Sequence, residues 1–307
     1  MISYLKLVRI PNLLIVGFLQ LLLYYGILIP RFEKNHISPT LDGIYFVLLV
    51  IATIFITASG YVINDYLDIK IDKLNKPEKL IVTKEISKKN TLIFYWVIFA
   101  VGFIISLVIA IHINKIHYII LYLLSFLFLY FYSSYLKRKL LVGNVFVSAF
   151  SSFVLGIILL FEYPGLQKLK LVNSEDYIIS IDIFIGFMIF SFFVSLYREI
   201  VKDIEDAKGD KIANANTIPI FFGVEVSKTI CGMISIIVLA LLFLWLKLDF
   251  NTGNLYLVIY MVLFVMSPLF YSVYLLKNAS SKKDFNRLSG FIKLILLSGI
   301  FLLFFYI

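Results

Sequence analysis

Apolar residues run almost unbroken along this chain, interrupted by polar stretches at intervals of about 20 residues, the length a helix needs to cross a bilayer. Nine apolar runs stand at roughly 10–29, 41–63, 91–113, 117–135, 144–161, 181–198, 226–246, 254–276 and 289–307. Inside hydrocarbon every backbone group must be satisfied within its own segment, so each run predicts a helix. The expected fold class is all-α: a polytopic membrane protein with nine transmembrane helices, a single domain over residues 1–307. Lys6 and Arg9 precede the first run as they would in a signal peptide. That run is too long and lacks a small-residue cleavage site, so it is expected to be retained.

Composition agrees with a lipid environment: 61% of the 307 residues are hydrophobic and 15% charged, against roughly half and a quarter in soluble domains. A net charge of +9 would suit nucleic acid, but the basic residues sort by loop. With the N-terminus in the cytosol, 22 of the 28 lysines and arginines fall on that side; Arg31, Lys34, Lys115, Lys168, Lys170 and Lys247 fall on the other. The positive-inside rule accounts for this pattern without nucleic acid and places the C-terminus outside. The single cysteine, Cys231, lies within an apolar run and excludes a disulfide framework. His36, His112 and His117 are scattered, which argues against a histidine metal centre.

Two longer polar interruptions, 64–90 and 199–225, follow the second and sixth runs; a shorter one at 162–180 reads as a surface loop. Asp65, Asp68 and Asp72 stand at i, i+3, i+7, and so do Asp203, Asp206 and Asp210. On a helix these positions lie within about 60° of one another, so each triplet predicts a carboxylate stripe. Asn64 can add an amide oxygen at the edge of the first. The plain reading of one acidic run among lysines is a solvated interfacial face with weak ion pairs. Two matching runs at the ends of apolar helices favour another: hard divalent cations such as magnesium, which take carboxylate oxygens and complete their shell with phosphate and water. Two such stripes can hold a diphosphate, and its place in a membrane suggests a lipid tail.

These residues resemble a known family. Asn64-Asp65-Tyr66-Leu67-Asp68-Ile69-Lys70-Ile71-Asp72 matches the NDxxDxxxD motif of the UbiA family of intramembrane prenyltransferases. The run Lys202 to Asp210 is similar to its second aspartate motif, Arg9-Ile10-Pro11-Asn12 to its opening Arg-x-x-Asn, and Tyr132 to Lys137 with Gly143-Asn144 to its passage from helix four to helix five. The resemblance implies nine helices around a central cavity with the aspartate motifs at its cytosolic mouth. It also implies a Mg2+-dependent transferase that moves a prenyl group from a prenyl diphosphate to a lipid or aromatic acceptor.

Carried over residue by residue, Asn64, Asp68, Asp203 and Asp210 lead the magnesium and diphosphate positions, with Asp65, Asp72 and Asp206 beside them. Glu205, about 200° from Asp203 on a helical wheel, is expected to face elsewhere. Arg9, Lys137, Arg198 and Lys202 are candidates for diphosphate oxygens, against ordinary positive-inside anchoring. Asn12 and Asn144 are expected at a polar cavity. Tyr135 and Tyr197 are the aromatic rings expected next to the site, where a ring face attracts a developing carbocation. The segment from Arg198 to Asp210, continuing to Thr217-Ile218-Pro219, is most similar to the branch that prenylates geranylgeranylglyceryl phosphate. Lys79-Leu80, Asn214 and Asn216 depart from common family patterns, so an aromatic quinone precursor stands as the alternative acceptor. Outside the transferases, a cation-coupled transporter would place its acids near the bilayer midplane, whereas these lie at helix ends. A non-catalytic scaffold leaves the paired triplets unexplained.

Overall fold

The protein is described by a computed structural model covering residues 2–212, 214–250 and 254–307. Among these residues nine helices are long and apolar enough to cross a membrane: α1 (Ile10–Lys34), α2 (Gly43–Leu67), α3 (Lys88–His112), α4 (Ile116–Arg138), α5 (Val142–Phe161), α6 (Ser174–Ile212), α7 (Val224–Lys247), α8 (Leu255–Asn278) and α9 (Lys282–Phe305). The described residues form no strand, only an isolated bridge between Val82 and Ile86.

Short polar side chains start several of these helices by taking first-turn N–H groups that have no intrahelical partner. Asp42 accepts from Tyr45 N at 3.3 Å before α2, Ser87 from Asn90 N at 3.2 Å before α3, and Ser281 forms a capping box with Asp284 at α9. Proline shapes two helices from within. Leu22–Leu28 in α1 and Met261–Met266 in α8 widen into π-turns just before Pro30 and Pro268, residues that cannot donate to the preceding turn.

Two hubs organise the bundle. α2 packs against α1, α3 and α4, while α6 packs against α5, α7 and α9. Each hub carries one aspartate run at its end, four helices apart, the arrangement an internal repeat would produce. A large apolar core joins α1, α2 and α5 to α9; a smaller one gathers Leu7, Val62, Tyr95 and Phe126 near the N-terminus.

Three stretches differ from the sequence reading. The second aspartate run is helical, as its spacing predicts, but it belongs to the membrane helix itself: α6 continues past the apolar run at 181–198 for 39 residues in all, to Ile212, about 58 Å of rod against a hydrocarbon thickness of about 30 Å. Ile200, Val201 and Ile204 are buried beneath its charged face, and that packing keeps the segment helical. The first run crosses a joint, because α2 ends at Leu67, Asp68 sits at φ −87° and ψ 1°, and Ile69–Asn75 forms a further short helix. Backbone bonds Asp68 N to Asn64 O (2.9 Å) and Asp72 N to Asp68 O (2.8 Å) carry the helical register across it. Finally, 162–180 is no surface loop. Tyr163–Val172 is a helix, and Glu162, completely buried, accepts from Thr40 N and Leu41 N at 2.8 Å each and from the Tyr24 hydroxyl at 3.3 Å.

Candidate active site

Both aspartate runs border one cleft of about 490 Å3 at the end of the bundle. Two glycines allow its walls to meet. A Cβ at Gly143 would stand 2.6 Å from Lys137 Cα, so only glycine lets α5 start against the exit of α4. A Cβ at Gly209 would come within 2.0 Å of the Asn75 amide oxygen, where the short helix after α2 crosses α6. The first close approach places Lys137 and Asn144 in the cleft; the second brings the aspartate stripes to opposite sides of it.

The structure collects Arg9, Asn64, Asp65, Asp68, Asp72, Lys137, Asn144, Arg198, Lys202, Asp203, Asp206 and Asp210 around this cleft. On the α2 side, Lys137 donates to Asn64 Oδ1 at 3.2 Å and pairs with Asp68. Arg9, in a left-handed conformation (φ 55°, ψ 54°) ahead of α1, reaches Asp65 Oδ1 at 2.8 Å and lies over the Tyr61 ring at 4.7 Å. A non-glycine residue there carries a backbone cost of about 1–3 kcal/mol that its contacts must offset. On the α6 side, Asn144 Nδ2 donates to Asp203 Oδ2 at 2.8 Å, and Lys76 Nζ donates to Asp206 Oδ2 at 2.7 Å. Thus Lys137 and Lys76 each place an ammonium group on one stripe.

Further charges crowd the wall. Glu199 takes Arg198 Nη1 and Lys202 Nζ at 2.9 Å each. Burial works against the Arg9 charge, but Asp65, Tyr61 and Glu199 outweigh it and hold its pKa above the ordinary value. Burial, with Asp68 and Asp65 adding, pushes Asp72 up to about 6. That shift reports a carboxylate short of positive charge.

Three expectations meet a different placement. Tyr197 is fully buried with its hydroxyl on Ser272 O at 3.2 Å, and Tyr135 is 57% exposed with Lys139 over its ring at 4.5 Å; neither lines the cleft. Tyr132, one turn before Tyr135, does, its ring stacked on Phe146 with centroids 5.8 Å apart. Glu205 does not turn away, because the cleft wraps widely around α6. It lines the cleft and meets Lys76 Nζ at 3.4 Å and Asn286 Nδ2 at 2.9 Å. Asn12 lies behind the wall, accepting from Lys293 Nζ at 2.6 Å and donating to the Tyr61 hydroxyl at 3.3 Å. Glu199, Lys76, Tyr132 and Lys293 are site neighbours that spacing alone does not pick out. A charge inside the apolar run at 289–307 was the available signal for Lys293.

The donor set suits a hard cation brought in with its anion. Asp206 Oδ1 is buried with no hydrogen-bond partner, and among the described residues no side-chain hydrogen bond reaches the Asp72 or Asp210 carboxylate, whose backbones are bonded within their helical turns. Among those residues no three carboxylates converge tightly enough to hold an ion by themselves. Magnesium does not require that, since it commonly takes one or two carboxylates and fills its shell with phosphate and water.

Comparison with known proteins points one way. The sequence pattern of the UbiA prenyltransferase family matches residues 36–301. Digeranylgeranylglyceryl phosphate synthase of Methanosphaera stadtmanae is 30% identical over 258 residues, which cover 81% of this chain and 84% of that protein. A solved structure of digeranylgeranylglyceryl phosphate synthase superposes with TM-score 0.60 at 24% identity, over 97% of this chain and 96% of the other. A UbiA homologue from Archaeoglobus fulgidus bound to DMAPP and Mg2+ superposes with TM-score 0.54 at 19% identity, over 98% and 99%. At such identities the superpositions speak for the fold, and the sequence match for the family. With nine apolar helices, two aspartate faces across one cleft and a match over most of its length, this chain belongs to the UbiA prenyltransferase family.

Proposed function

We propose that this prenyltransferase carries a geranylgeranyl group from its diphosphate to the hydroxyl of geranylgeranylglyceryl phosphate, with magnesium as cofactor and the cleft open to the cytosol. The observation that carries the reading is the pairing of two aspartate faces with a separate basic pair, Arg198 and Lys202, in one cleft. It offers places for two anionic head groups. The name of the Methanosphaera stadtmanae relative supports the acceptor, and the bias of basic residues toward one side supports the orientation.

Asn64, Asp65, Asp68 and Asp72 on one side, and Asp203, Asp206 and Asp210 on the other, would hold magnesium; when bound, it neutralises the diphosphate and stabilises the charge that develops as it leaves. Lys137 and Arg9 stand where they can turn to diphosphate oxygens. Asn144 fixes the Asp203 carboxylate through its 2.8 Å hydrogen bond. As the bond from the allylic carbon to the diphosphate breaks, its electron pair stays with the diphosphate, the acceptor hydroxyl oxygen attacks the carbon, and the hydroxyl proton passes to the departing diphosphate. The Tyr132 ring is the cleft's aromatic face for the charge on that carbon. Arg198 and Lys202, four residues apart on one face of α6, suit the acceptor phosphate.

Incubation of the purified protein with magnesium, labelled prenyl diphosphates and both acceptor classes tests this directly. Transfer to geranylgeranylglyceryl phosphate is expected. Robust prenylation of 4-hydroxybenzoate or a naphthoate, with none of the glyceryl phosphate, would assign the protein to quinone-precursor chemistry.

A further inference from the structure

Lys293 occupies an unusual place. It sits eleven residues into α9, four residues or about 6 Å past the start of the apolar run at 289, where an ionisable side chain is costly and marks function by default. Its hydrogen bond goes to a neutral group, Asn12 Oδ1 at 2.6 Å, and among the described residues it has no carboxylate partner. Arg9 and Arg198 lie near enough to repel it.

Its surroundings are short of negative charge. Arg9 is matched by Asp65, while Arg198 and Lys202 share the single carboxylate of Glu199. Arg198 also donates from Nε to Ser289 O at 3.3 Å; Asn286 and Ser289 of α9 line the cleft, and Lys293 follows them at helical spacing, one turn beyond the lining residues. Arg198, Lys202 and Lys293 against Glu199 leave a surplus of two positive charges. A phosphomonoester brings about −1.5 to −2 at neutral pH; a carboxylate brings one negative charge. The surplus therefore suits the first and over-charges a site for the second.

We propose that Lys293 is the specificity-determining residue for the acceptor, completing with Arg198 and Lys202 a subsite for the phosphomonoester head of an isoprenoid glyceryl lipid. The proposal rests on the reading that the acceptor carries phosphate. In the empty subsite Glu199 holds Arg198 and Lys202 in place, and the acceptor phosphate supplies the charge that Glu199 leaves unmatched. The bland alternative is a strut, with Lys293 serving only to tie α9 to α1 through Asn12.

Lys293→Gln separates the two, because its amide keeps a donor for Asn12 and removes the charge. With the full-length purified protein, the expected result is an acceptor KM for geranylgeranylglyceryl phosphate raised about tenfold, the loss of one charge-assisted hydrogen bond. Donor KM should move less than twofold, Lys293→Arg should recover the acceptor KM, and the variant should lose preference for the phosphorylated acceptor over dephosphorylated geranylgeranylglycerol. An unchanged acceptor KM in Lys293→Gln overturns the proposal. So does Lys293→Met raising donor and acceptor KM alike while lowering the unfolding temperature, the behaviour of a strut. If the unmodified protein transfers to the glyceryl phosphate and Lys293→Gln does too with unaltered KM, this inference alone fails. If the unmodified protein does not use the glyceryl phosphate, the acceptor assignment fails and takes this inference with it.

Discussion

Replacing Lys137 by methionine should move two affinities in opposite directions. The Lys137 ammonium group bonds to Asn64 and pairs with Asp68, and both ion-pair partners are only 13% exposed. A charge pair in contact near a protein surface is worth about 4 kcal/mol at an effective dielectric of 20, and desolvation of the lysine returns a large part of that. A net preference of about 1.4 kcal/mol, a factor of ten, is what remains for a metal ion to displace. Lys137→Met removes this competitor and keeps much of the aliphatic stem, so Mn2+ binding without substrate should tighten about tenfold. The same change removes a charged donor from the diphosphate, worth about 1.5–3 kcal/mol, so donor KM should rise by one to two orders of magnitude. Electron paramagnetic resonance of Mn2+ in detergent gives the first quantity and steady-state transfer the second. Mn2+ binding that stays the same or weakens in the variant would refute the idea that Lys137 stands in for the metal.

Asp68→Ala or Asp210→Ala should abolish transfer while leaving the thermal unfolding of the purified protein near its original temperature; near-normal turnover in either folded variant would dismiss the assigned metal site. Lys202→Ala should raise acceptor KM more than donor KM, and an equal rise in both would count against its role with the acceptor phosphate. Cysteines introduced at Asn75 and Lys211 should resist an impermeant reagent applied outside intact cells, with labelling of either reversing the topology. Glu162→Ala strands the N–H groups of Thr40 and Leu41, while the Tyr24 hydroxyl keeps Leu41 O as its acceptor. It should destabilise the protein by about 3 kcal/mol or more, seen as a lower unfolding temperature with metal binding retained.

Much of this architecture is legible in residue order alone, because bilayer thickness imposes one length on every span and the aspartates repeat at a helical interval. What escapes is set by surroundings. The stretch from Arg198 to Ile212 reads as a polar interruption after the sixth span until Ile200, Val201 and Ile204 are seen packed beneath it. Tyr135 and Tyr197 adjoin site residues in sequence, yet helix rotation sends one to the surface and the other into the core. Glu205 shows the converse: a wheel separates it from Asp203, but the cleft is wide enough to reach both faces of α6. Glu162 looks like a loop acid because its partners, Thr40, Leu41 and Tyr24, lie more than a hundred residues away.

The charged groups of the cleft gather at one end of the bundle, while at the other end buried Glu162 holds the Thr40 and Leu41 backbone. A lipid whose head group reacts there enters and departs with that head group at the same height in the bilayer. With a glyceryl phosphate lipid as the proposed acceptor, new product would accordingly be added to one leaflet only. Carrying a polar head group through about 30 Å of hydrocarbon is costly. Equalising the two leaflets would then fall to a separate flipping step, and the rate of transfer would set the demand on it.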